Sequence, residues 1–204
     1  MIGDVQWMTA GHGIIHNEFH SADFAKTGGT LEMMQLWVNL PAAVKLTPAK
    51  YQSILKKEIP EVSLGANVGA VRVIAGAFNG VRGTASTFTP INLWDVSLTP
   101  NQTVEFTTVE GHTTIIFCRT GSVILNPSDS MTAASSSGLK PAQIGILSRI
   151  GNKISLASGM EGSHFMVLDG EPINESIAAR GPFVMNTDAE LRQAANDYQN
   201  GLMG

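Results

Sequence analysis

The densest group of side chains able to do chemistry is Gly11-His12-Gly13-Ile14-Ile15-His16-Asn17-Glu18-Phe19-His20, which holds three of the five histidines in a charge-poor neighbourhood. On a β-strand, side chains two apart share a face, so His16, Glu18 and His20 would project one way and Ile15, Asn17 and Phe19 the other. Two neutral imidazole nitrogens and a carboxylate oxygen suit Fe(II), Mn, Ni, Cu or Zn, and a centre with open positions can take a substrate or dioxygen. His-x-Glu spacing alone is weak evidence. It arises by chance, and a strand histidine is more often solvent-facing or hydrogen-bonded. His12 has the parity of His16 and Glu18, although Gly11 and Gly13 argue against an even strand around it.

The other reactive side chains read as structural. His112 follows Gly111 between two strand-like runs and reads as a turn residue; His164 leads the apolar run to Leu168. Cys118, within Ile115-Ile116-Phe117-Cys118, reads as a buried, inert thiol, since nothing near it in sequence would depress its pKa. Trp7, Trp37 and Trp94 lie in strand patterns and read as core. No GxSxG elbow, P-loop or GxGxxG opening a helix is present, which sets aside hydrolase, nucleotide and dinucleotide readings.

Composition narrows the class further. The 204 residues, 43% of them hydrophobic, can fill one or two cores of about 100 residues each. Thirteen Lys and Arg against 17 Asp and Glu, scattered rather than clustered, give a net charge of −4 and no phosphate-tracking surface, so no direct nucleic-acid partner is expected. The single cysteine excludes an internal disulfide and a thiolate zinc site and fits a reducing, cytoplasmic setting. No apolar run reaches the roughly 18 residues of a membrane span, and no secretion pattern opens the chain, so no membrane association is expected.

The elements that must position the histidine cluster are mostly strands. Gly and Pro punctuate short apolar runs at Val68–Ala75, Ser86–Leu98, Thr103–Thr108, Thr113–Cys118, Ser122–Leu125 and His164–Leu168, a spacing that predicts a sandwich or barrel. Alternation in Val71-Arg72-Val73-Ile74 and in Leu93-Trp94-Asp95-Val96-Ser97-Leu98 predicts half-buried strands. Helix is predicted at Thr47–Lys57, with Thr47 as N-cap and Pro48 at the first helical position. A second helix is predicted from about Asp188 to Gln199, where Thr187 and Glu190 have capping-box spacing and Gly201 stops it. The polar, small-residue stretch Ser128–Gly138 reads as a surface loop.

The stretch Gly3-Asp4-Val5-Gln6-Trp7-Met8-Thr9-Ala10-Gly11-His12-Gly13-Ile14-Ile15-His16-Asn17-Glu18 resembles the signature of the pirin family, a branch of the cupin superfamily. The likeness continues through Met34–Pro41, Tyr51-Gln52 and Glu58-Ile59-Pro60 to Gly170–Ile173 and Gly181–Thr187. It implies an all-β fold built of cupin jelly-roll β-sandwiches. This would be a bicupin with a partial N-terminal cupin and linker helix at 1–59, a C-terminal cupin at 60–186 and a helical tail at 187–204. Pirins are similar to one another in holding one divalent metal, usually iron, Fe(II), in the N-terminal cupin. The resemblance carries two of the four ligands onto His16 and Glu18; the other two are histidines of an upstream His-x-His strand with no counterpart here.

The activity implied is that of a quercetin 2,3-dioxygenase, which opens a flavonol ring with dioxygen at the metal. Glu18 would then be both ligand and proton acceptor, and His16 a ligand. The alternatives are a non-catalytic regulatory or binding protein with a protein partner, and an inactive, truncated pirin. His12 and His20 are the candidates to replace the two missing ligands. An unfinished jelly roll would expose strand edges, which predicts a homodimer or a covering partner.

Overall fold

The computed structural model describes residues 3–127 and 138–203, so the loop expected at Ser128–Gly138 lies, apart from Gly138, outside the described residues. Strand β1 (Val5–Thr9) is followed by helices α1 (Ala22–Thr27) and α2 (Ala42–Lys45) and by β2 (Lys50–Ile54). Next come a 3-10 turn at Lys56–Glu58, β3 (Glu61–Ser63), β4 (Gly69–Ala75) and a small hairpin of β5 (Ala77–Phe78) and β6 (Val81–Arg82). The long strands follow: β7 (Ile91–Leu98), β8 (Thr103–Thr107), β9 (Thr113–Leu125), β10 (Ile144–Ile146) and β11 (Lys153–Gly170). A last hairpin, β12 (Ala178–Arg180) with β13 (Phe183–Met185), leads into α3 (Asp188–Gln199). The all-β class read from the sequence holds. Two compact units are formed, Met1–Trp7 with Gln52–Pro172 and Met8–Tyr51 with Ile173–Gly204.

In the first unit, seven strands form an antiparallel sheet in the order β10-β9-β11-β7-β4-β3, with β8 also paired to β11. Strand β11 serves both ends of the sandwich. Its first half pairs with β8 and the end of β9, and its second half with β7 and the start of β9. The register shifts between Ser158 and Ser163, where Gly162 and, opposite it on β9, Gly121 both have positive φ. A Cβ on Gly121 would overlap the Gly162 carbonyl, so only glycine lets the two backbones approach at this corner. The runs 113–118 and 122–125 are therefore one bent strand, not two.

The alternation predicted on β4 and β7 is observed. Val71, Val73, Trp94, Val96 and Leu98 point into one core with Phe106, Ile116, Phe165 and Val167. Cys118 is buried there as expected, and burial raises its pKa above the usual thiol range. The opposite face carries a smaller cluster of Ile54, Ile59, Ile74, Leu93 and Met166, against which Val5 and Trp7 pack. Beside it, Asp95 accepts from Arg72 at 2.8 Å and from Arg119 at 2.9 Å, so the one charged residue of β7 is matched across neighbouring strands.

The helix expected at Thr47–Lys57 is not formed. Residues 50–54 are strand β2, paired to β1, and the turn after it is 3-10. Ile54 is 3% exposed in the smaller core while its neighbour Ser53 is open to solvent, a period of two that strand satisfies and helix does not. Strand pairing and burial here outweigh the cap signal of Thr47-Pro48.

The second unit is built on its C-terminal helix. Thr187 caps α3 by accepting from the Glu190 N–H, and Glu190 returns a bond from the Thr187 N–H, as its spacing predicts. The Thr187 hydroxyl, donating to Glu190 Oε2 at 2.9 Å, and then the Asn186 N–H hold the Glu190 carboxyl below its usual pKa. Glu175 accepts from the Ala42 N–H at the start of α2 and from Asn186. Lys45, buried, donates to Asn39 Oδ1 and the Leu40 carbonyl, and its desolvation lowers its pKa.

Candidate metal centre

The residues that lead into the histidine cluster turn the chain rather than extend it. Strand β1 ends at Thr9, the Gly13 N–H donates to the Ala10 carbonyl at 2.9 Å and the His12 N–H to the Thr47 carbonyl at 3.0 Å. Gly11 has φ +56, and a Cβ there would overlap the Thr47 carbonyl oxygen. The backbone is therefore left-handed at a point where a strand would be extended.

His16, Glu18 and His20 consequently lie on irregular backbone, not on a strand, and all three are exposed, as is His12. The shared face that alternation would provide is absent. His20 sits against Phe24, ring centroids 5.1 Å apart, just before α1, whose N-terminus is capped by Ser21 Oγ accepting from the Phe24 N–H. That helix was not anticipated. The Ser21 cap, Asp23 in the first turn, Lys26 in the last and Gly28 beyond it were the sequence signals for it.

Among the described residues, no group of three or more His, Cys, Asp and Glu side chains is close enough to hold a metal ion. His16 and Glu18 offer one imidazole and one carboxylate on an accessible loop. A metal centre of the usual kind takes three or four protein ligands. The two residues alone do not fit a closed site. Trp37, expected in a core, is 67% exposed, and Phe19, Leu31, Met33 and Val38 are exposed with it.

A second polar cluster lies inside the first unit, and sequence reasoning missed it. Asp169, at the end of β11, has a side chain with no exposed surface and accepts three hydrogen bonds. The donors are Asn92 Nδ2 at 2.8 Å, Thr114 Oγ1 at 3.0 Å and His112 Nδ1 at 3.0 Å. His112 is correctly placed beside a turn, but its side chain is only 10% exposed and locked to a buried carboxylate. An aspartate closing an apolar strand was the only available signal.

With the geometry in place, comparison with known proteins gives a consistent answer. Residues 93–204 match the pirin C-terminal cupin domain, and residues 1–38 match pirin. A solved structure of quercetin 2,3-dioxygenase from Acinetobacter baumannii is 46% identical and aligns with a TM-score of 0.91, covering 99% of this chain and 67% of that one. Pirin-1 of Arabidopsis thaliana is 36% identical over 202 residues and human pirin 33% over 203, each alignment taking in 99% of this chain. The chain spans 66% of the length of these two curated relatives. The β-sandwich is thus a cupin jelly roll, and the chain belongs to the pirin family.

Proposed function

We propose that this chain acts as a pirin-type metal-binding cupin of the quercetin 2,3-dioxygenase kind, taking a flavonol-like substrate and dioxygen in the cytoplasm. His16 and Glu18 are the metal-binding groups and Fe(II) the metal. The observation that carries this reading is the end-to-end likeness, 46% identity across 99% of the chain, to a structure named as a quercetin 2,3-dioxygenase. Both residues fall in the stretch that matches pirin.

The role of this chain's own residues is limited by their setting. Glu18 is an accessible carboxylate, able to accept the proton of a flavonol hydroxyl. His16 and Glu18 make a half-site, so a metal held by them exchanges readily until further donors join. The test is quercetin loss, followed by its visible absorbance, with parallel oxygen uptake in Fe(II)-saturated buffer. Equimolar loss of both, abolished in Glu18→Ala, is the expected result. No turnover above that of Fe(II) in buffer would overturn the enzymatic reading.

One observation favours a second reading, a binding protein with a protein partner. Met33 and Trp37 stand exposed within a few residues of each other, and buried aromatic anchors of this kind carry much of the energy of protein interfaces. An inactive protein that binds metal would support that reading.

A further inference from the structure

His112 is bonded on one side only. Its Nδ1 meets Asp169 Oδ2 at 3.0 Å, and among the described residues Nε2 has no hydrogen-bond partner. Asp169, fully buried and already accepting from Asn92 and Thr114, fixes the ring orientation and places a proton on Nδ1. Nε2 is then left as the acceptor of a ring held by its Nδ1 bond. The His112 side chain is 10% exposed, so Nε2 can be reached by a ligand that enters from solvent.

His112 lines a cavity of about 100 Å³ at one end of the sandwich, together with Thr108, Thr114, Asn126 and Ser148. Two of these side chains, Ser148 and Asn126, have an acceptor occupied and hydrogens available. Ser148 Oγ accepts from the Ile150 N–H at 3.2 Å, leaving the hydroxyl hydrogen to donate. Asn126 Oδ1 accepts from the Ser155 N–H at 2.9 Å, leaving both amide hydrogens. A space of this size suits an occupant of a few heavy atoms.

We propose that this cavity is a binding site for a small carboxylic acid. The ligand binds as its carboxylate, whose oxygens accept from Ser148 or Asn126 and from Nε2–H of a His112 imidazolium that takes its second proton from solvent and is balanced by Asp169. One proton is taken up from solvent as the carboxylate enters, and no bond of the ligand breaks. The site lies wholly in the C-terminal jelly roll and owes nothing to His16 or Glu18.

The experiment is a titration of the isotope-labelled full chain with sodium acetate, reading histidine side-chain NMR signals, beside sodium chloride at matched ionic strength. His112→Gln identifies the His112 signals and, if its backbone spectrum stays dispersed, serves as the folded control. The expected result is a saturable shift of His112 and of the Val109 and Gly151 amides with acetate but not chloride. In His112→Gln the amide shifts disappear, and in Ser148→Ala the affinity falls about fivefold, the effect of one lost hydrogen bond. No saturable shift, an equal response to chloride, or unchanged acetate binding by His112→Gln would overturn the proposal.

Discussion

Replacing Trp94 by alanine should lower the unfolding free energy by about 3–5 kcal/mol, a fall in Tm of roughly 10 °C. The indole is 1% exposed in the larger core. Its ring meets Phe78 edge-on, centroids 5.1 Å apart, and stacks near Phe106 at 6.0 Å. Truncation removes those contacts and leaves a void that strands β4, β7 and β11 cannot close without breaking their register. Trp94→Phe should cost less than half as much. The indole N–H is buried without a partner among the described residues, so the shorter ring sheds an unsatisfied donor as it loses area. Urea denaturation of both variants checks this, and an alanine variant within about 1 kcal/mol of the parent would contradict the packing account.

Asp169→Ala should destabilise the jelly roll by about 3 kcal/mol or more. The carboxylate is the common acceptor for Asn92, Thr114 and His112, which come from the starts of β7 and β9 and the turn before β9. Removing it leaves three donors facing one another in a buried space. Asp169→Asn should cost less, because its oxygen can still accept from Asn92 and His112 while its amide donates to the Thr114 hydroxyl, which can turn to accept. His112→Gln should cost no more than about 1 kcal/mol, since its ring is one partner of three and reaches solvent. Equilibrium unfolding in urea separates the cases. Equal stability of Asp169→Ala and the parent would mean that the carboxylate does not organise the cluster.

Much of the fold was legible because its signals are local. The capping-box pair Thr187 and Glu190 placed α3, and period-two alternation placed β4 and β7 with the correct residues inward. The failures have non-local causes. Lys50–Ile54 has a helix-like cap before it, but its conformation is decided by pairing with β1, more than forty residues earlier, and by Ile54 entering a core. At Gly121 a glycine that permits close backbone approach read as a break between strands.

The candidate sites were legible to different degrees. The motif around His16 and Glu18 identified the family but not the local geometry, since the turn at Gly11 depends on the distant Thr47 carbonyl. Asp169 and its partners are 77, 57 and 55 residues apart in sequence, so no spacing rule could assemble them. Trp37 followed a strand pattern yet has no core to enter within the described residues.

The claim that His16 and Glu18 are the metal-binding groups is tested most directly by anaerobic equilibrium dialysis of the purified chain against Fe(II), read by plasma mass spectrometry beside a His16→Ala, Glu18→Ala double variant. The account predicts saturable uptake approaching equimolar metal, lost in the double variant and stripped from the parent by metal-free buffer. Uptake that is the same in parent and double variant, or absent from both, would contradict it.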